Sequence, residues 1–163
     1  MRNRGIPRDK LIWNDNGVGG GSWTIHTTTE LFGSVQVDIP CKTPDSGLTE
    51  IQKRSLQMLR ELPKSLRPAL IDALRRYAVR YLGEDPNPED CKFSCDNASI
   101  PALHEAPNAY AFLNASSDID KEHGVCFLIR NGEVLACCHG DTSLCVENWD
   151  ATDELDALAD NVA

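Results

Sequence analysis

The stretch from Asp118 to Asp141 reads DIDKEHGVCFLIRNGEVLACCHGD. Asn131-Gly132 lies between apolar runs and predicts a two-residue type I′ hairpin, because both turn positions need positive φ. Such a turn sets a register. Arg130 stands opposite Glu133 as an opposite-charge pair. Outward from there Ile129 meets Val134, Leu128 meets Leu135, Phe127 meets Ala136, Cys126 meets Cys137 and Val125 meets Cys138. Val125, Phe127, Ile129, Val134, Ala136 and Cys138 then share one face, and Cys126, Leu128, Leu135 and Cys137 the other. Both faces are apolar, which predicts a central hairpin covered on both sides.

The same stretch holds two of the four histidines and three of the seven cysteines. Alternation puts His123 with the Phe127 face and His139 with the Cys126–Cys137 face. Ligands on opposite faces reach one ion only through a bulge, so no metal site is expected here. Two thiol-based sets stay open: Cys126 and Cys137 with His139, and a set recruiting Cys91 and Cys95 from CKFSC. Asp120, Glu122, His123 and Asp141 gather at the hairpin mouth, the end away from the turn. A carboxylate beside a histidine can act as a base, and a cysteine beside one as a nucleophile. Alternation separates His123 from Cys126, and neither a nucleophile elbow nor an H-E-x-x-H helix is present. The expectation is therefore that His123 and its acidic neighbours hydrogen-bond the mouth, with no catalytic residue and no cofactor.

Upstream, WTIHTTT (23–29) and SVQVDIP (34–40) alternate as strands, and LIW (11–13) adds a short one. Together they predict an N-terminal antiparallel β meander. The glycine loop NDNGVGGGS (14–22) lacks the Lys-Ser/Thr ending of a phosphate loop and reads as a connection. TEIQ at 49–52 has capping-box spacing and opens a helix with Ile51, Leu56, Leu59 and Leu62 in a stripe; Pro63 ends it. A second helix is expected from a Ser65 cap to Leu82, with Pro68 in its first turn and Gly83 closing it. Leu66, Leu70, Leu74, Tyr77, Ala78 and Tyr81 form its apolar stripe. SIPALH and AYAFLNA read as strands ahead of the hairpin. At the end, Thr152 can cap a short acidic helix with Leu155, Leu158 and Val162 on one face. The fold expected is α+β: meander, two consecutive helices, a hairpin-containing antiparallel sheet and the acidic helix.

At 163 residues this is a single domain, burying roughly 70% of its unfolded surface, with a candidate subdomain boundary at the polar linker 83–90. No apolar run approaches the ~20 residues of a membrane span, and the basic N-terminus has no apolar signal region. The chain reads as cytoplasmic, and its odd cysteine count argues for free thiols. The net charge of −9 is divided unevenly: residues 1–83 carry 13 Lys+Arg against 8 Asp+Glu, whereas 84–163 carry 3 against 17. Phosphate would be repelled by the second half, which excludes nucleic acid there. An acidic surface of this kind suits a basic protein partner.

The order of these pieces is similar to small bacterial domains of the immunity type found in polymorphic toxin systems. The resemblance is carried by the Trp-bearing meander, the TEIQ helix opening, and a second helix with Ala73-Leu74 and a late Tyr77 or Tyr81. It continues in Asp120, Glu122, His123, Gly124, Asn131, Gly132, Gly140 and Asp141. It covers about residues 20–141; the cysteines, IPALHEAPNA and the acidic tail depart from it. The resemblance implies a fold and a non-enzymatic protein-binding role; the acidic second half adds the expectation of an immunity-type inhibitor that occludes a basic partner, for which a basic toxin would suit the charge. The partner-binding residues expected are Asp120, Glu122, His123, Asp141, Glu147 and Asp150. The alternatives are a cysteine/histidine metal-binding or redox-responsive regulator, and a hydrolase using Asp120, Glu122 and His123.

Overall fold

The computed structural model describes residues 10–17, 20–104, 106–148 and 154–158, with only the backbone of 145–148. The strands are β1 (Ile12–Asp15), β2 (Gly21–Thr29), β3 (Gly33–Cys41), β4 (Phe93–Ser99), β5 (Tyr110–Ser117), β6 (Val125–Arg130) and β7 (Glu133–His139). Helices α1 (Glu50–Arg60) and α2 (Arg67–Tyr77) fall between β3 and β4. All seven strands form one sheet in chain order, so the fold is α+β. Neighbours are antiparallel except β3 and β4, which run parallel through Gln36–Asn97, Val37–Ala98 and Asp38–Ser99. Parallel neighbours need a long crossover, and the segment carrying both helices supplies it. The polar linker 83–90 lies in the returning arm. Among the described residues no helix is long and apolar enough to cross a membrane.

Thr49 caps α1 as a full capping box: its hydroxyl accepts from the Gln52 N–H, and the Gln52 side chain accepts from the Thr49 N–H. Such caps contribute about 1 kcal/mol. The Thr49 hydroxyl also donates to Leu103 O at 2.9 Å, tying α1 to the segment after β4. The second helix departs from expectation at both ends. Ser65 does not cap it; Lys64–Leu66 make a 3-10 turn and α2 starts at Arg67. Its last turn widens to a π-helix over Ala78–Leu82 before Gly83 closes it at φ 69°. Val79, Tyr81 and Leu82 of that turn are exposed.

Each face of the sheet has its own apolar cluster. On the helix side, Leu56, Leu59, Leu70, Leu74 and Tyr77 pack with Ile25, Val35, Val37, Leu113, Phe127 and Ile129. Burying one such aliphatic side chain contributes about 1.5–3 kcal/mol. On the other side, Tyr110, Phe112, Cys126, Leu128, Ala136 and Cys138 pack with Ile51, Leu103 and Leu155. Farther along that second face the residues turn polar. Thr24 donates to Asp38 at 2.6 Å, Asn97 to Asp38 at 3.1 Å, and Asn114 to Asn97 at 2.8 Å, a chain of bonds that crosses the parallel seam.

Three sequence expectations are corrected here. SIPALH is not a strand; β4 comes from FSCDNAS, and Ile100 and Leu103 turn inward as buried residues of the following loop. The hairpin is not central, because β7 is the last strand of the sheet, although β6 is covered on both faces. The register holds at Arg130–Glu133 and Ile129–Val134, then slips by one: Leu128 meets Ala136, Phe127 meets Cys137, Cys126 meets Cys138 and Val125 meets His139. Leu135 is the extra residue of a β-bulge.

Of the acidic tail, residues 154–158 are helical and Leu155 is fully buried; Thr152 and Val162 lie outside the described residues. Asp156 accepts from the Tyr110 hydroxyl at 2.7 Å and from Arg130 at 2.8 Å, so the arginine facing Glu133 in register makes its ion pair with the tail. The Tyr110 bond, joined by Arg130, holds the Asp156 carboxyl below its ordinary 3.8. A carboxylate depressed in the folded state stabilises it above the unfolded value, and that contribution is lost as pH falls through the folded value. Wild type should therefore melt above Asp156→Asn at neutral pH, with the gap closing below about pH 4. Thermal unfolding of both proteins across that range checks it, and a pH-independent gap would refute it.

Candidate functional site

The bulge decides what stands at the hairpin mouth. With Leu135 set aside, β7 residues beyond it change face, and His139 comes opposite Val125 on the helix side. His123, two residues before Val125, lies against it: the two imidazole centroids are 4.6 Å apart. Two glycines permit this closeness. Gly124 takes φ 66°, and a Cβ there would come 2.7 Å from Ala115 O. A Cβ on Gly140 would run into the His123 carbonyl, and its N–H donates to Gly124 O at 3.2 Å. The expectation that the histidines point to opposite faces is thus overturned by one inserted residue.

Asp120 completes the group from the turn between β5 and β6. Its side chain is only 10% exposed. The Tyr77 hydroxyl, at the end of α2, donates to Oδ2 at 2.9 Å, and the His123 N–H donates to Oδ1 at 3.2 Å. The His123 ring nitrogen Nδ1 lies 3.5 Å from Oδ1. Burial alone would raise the Asp120 pKa; the His123 N–H, the Tyr77 hydroxyl and the His123 ring outweigh it and hold the carboxyl below its ordinary value. Burial, followed by the bond to Asp120, pushes the Tyr77 phenol up, so it stays a donor. On the far side of the group, Asp141 donates its N–H to His139 Nδ1 at 3.3 Å and holds its carboxylate 3.6 Å from the same atom.

Potential ligand atoms of Asp120, His123 and His139 all lie within 4.8 Å of one another, the one such His/Cys/Asp/Glu group among the described residues. The cysteines take no part in it. Cys91, Cys95, Cys126, Cys137 and Cys138 are buried and, with Cys41, unbridged. Burial pushes the Cys95 thiol up to about 12 and the Cys137 thiol higher, so neither offers a thiolate near neutrality. Cys126 and Cys138 face each other on the covered far side of the sheet.

Of the six partner-binding residues expected, Asp120, His123 and Asp141 come together, and Glu122 lies exposed within the same turn. Glu147 falls in the backbone of the 3-10 segment Gly140–Asn148, and Asp150 lies outside the described residues. Reading residue types missed Tyr77 as the orienting group, although its place at the end of the helical stripe was visible. It also missed a cleft of about 310 Å³ at the opposite end of the sheet, beside Cys41, Gln52, Leu103 and His104. That cleft holds the start of α1, whose box already uses the Gln52 side chain.

Fold and site together define an α+β protein with a seven-stranded mixed sheet and a carboxylate–histidine cluster at one end. No family model, curated protein or solved structure matches the chain.

Proposed function

We propose that this protein is a non-enzymatic binding module, an immunity-type inhibitor that docks on a basic protein partner and covers its working surface. The observation that carries the reading is the charge at the hairpin mouth. The turn between β5 and β6, the end of β7 and the start of β4 meet there, because Phe93 pairs with Ser117 and Val125 with His139. Glu89, Asp90, Asp118, Glu122 and Asp141 are exposed at this end. Among the described residues, Glu89, Asp90, Asp118 and Glu122 have no ion-pair partner. Lys92 and Lys121 also lie here, Arg67 of α2 sits over the Phe93 ring at 4.9 Å, and Arg75 is engaged by Asp85 at 2.8 Å. Carboxylates without ion partners, on the 3-10 turn before β4 and the turn between β5 and β6, steer a basic partner and bias its orientation. Occlusion of this kind needs no reacting group on the inhibitor.

The test compares the wild-type chain with Asp118→Lys/Glu122→Lys in quantitative pull-downs at low and moderate salt. Wild type is expected to retain a basic partner that salt releases, and the double variant to retain it at least about tenfold less well. Equal retention by the variant, or no partner for wild type at either salt, would refute the reading.

A further inference from the structure

We propose that Asp120, His123 and His139 form a binding site for one divalent transition-metal ion of the zinc class. The site goes beyond the docking role and does not rest on it.

Two imidazoles and one carboxylate are the donor set of three-ligand zinc sites, which leave a further position for water or another group. The set is poor for calcium or magnesium, which take six or more oxygens and seldom use imidazole. Asp120 is the fixed ligand. Its carboxylate is withdrawn from solvent and already oriented by the Tyr77 hydroxyl at 2.9 Å and the His123 N–H at 3.2 Å. Its sole ion-pair partner among the described residues is His123. A carboxylate placed this way loses water on one side and keeps an open direction toward the two rings.

The histidines are the adjustable ligands. Their side chains are 44% and 43% exposed, with the two rings against each other at 4.6 Å, in contrast to the fully buried Phe127. Ligand atoms around a tetrahedral zinc with bonds of ~2.0–2.1 Å stand ~3.4 Å apart. The present spread of up to 4.8 Å closes by modest rotation of the two rings. Asp141 fits the role of partner to His139. Its carboxylate oxygen lies 3.6 Å from Nδ1, placed to accept a proton on that nitrogen while Nε2 turns to the metal. The present bond from the Asp141 N–H to Nδ1, at 3.3 Å, is long and is given up in that exchange.

The experiment uses the full chain, stripped with chelator and titrated with Zn²⁺ alone, with Co²⁺ absorption as a second reading of geometry. One equivalent is expected to bind. His123→Ala and His139→Ala should each weaken binding by more than about 100-fold, and Tyr77→Phe by about tenfold, as removal of an outer partner does. Imidazole ¹⁵N resonances of the unmutated chain provide a reading independent of whether variants fold: Zn²⁺ should shift His123 and His139 and leave His26 and His104 unchanged. Absence of binding by wild type, undiminished binding by His123→Ala/His139→Ala, or unshifted His123 and His139 resonances would overturn the assignment.

Discussion

Phe127→Ala should lower stability by about 3–5 kcal/mol, enough to leave a domain of ordinary stability partly unfolded. Phe127 is fully buried in β6, between Leu113 on β5 and Cys137 on β7, beneath the helices. Its ring meets Phe93 at 5.1 Å between centroids, and Phe93 in turn meets Phe32 at 6.3 Å. Removing it therefore opens a cavity between the sheet and the helix layer, beside Phe93. Backbone pairing on both sides of β6 prevents the walls from collapsing into the gap. Urea unfolding reads the loss as a fall in midpoint with an unchanged slope. Phe127→Leu, closer in volume, should lose much less. A loss below about 1 kcal/mol for the alanine variant would mean that the cluster is looser than its burial implies.

Gly140→Ala should cost about 3 kcal/mol through backbone collision. The added methyl would meet the carbonyl oxygen of His123, with His123 C at 3.0 Å and Gly124 C at 3.1 Å behind it. All three obstacles are main chain, so no side-chain rotation relieves them. Relief requires the exit of β7 to move away from the start of β6, which also breaks the Gly140 N–H bond to Gly124 O. The two imidazoles then separate. Thermal unfolding measures the cost, and the His123 and His139 ring resonances report the separation. Gly132→Ala is the internal comparison: it keeps the strain of φ 85° but has open space around it, and should leave those rings unmoved.

Local signals in the sequence carried much of the fold. Asn131 and Gly132 do adopt positive φ, at 49° and 85°, and Thr49 and Gln52 do close a capping box. Gly83 ends the second helical segment where it stands. These features depend on a few adjacent residues, so the sequence states them directly. β4 was harder to read, since FSCDNAS mixes small and polar residues and a register break falls between Cys95 and Asn97. Its parallel partner lies about sixty positions upstream, so no local pattern announces the pairing.

The site was illegible for a sharper reason. Leu135, Ala136, Cys137 and Cys138 form an unbroken apolar run, and both faces of this part of the sheet are covered. Register is held by the penalty for turning a polar residue inward, and here neither alignment incurs one. Composition therefore allows the straight register and the bulged one alike. The closeness of Gly140 to His123 is a better indicator than any residue type in the run, but a glycine after a strand has too many ordinary explanations to be diagnostic alone.

The extra residue at Leu135 makes the meeting of His123 and His139 a matter of parity. Side chains beyond it are one step out of phase with those before it, so an odd change in chain length between Asn131 and His139 reverses the side on which the second imidazole emerges. An even change preserves it. Substitutions at Leu135, by contrast, leave the phase intact so long as the bulge remains. The chemistry of this end of the molecule is thus encoded in the number of residues in β7 as much as in their identity.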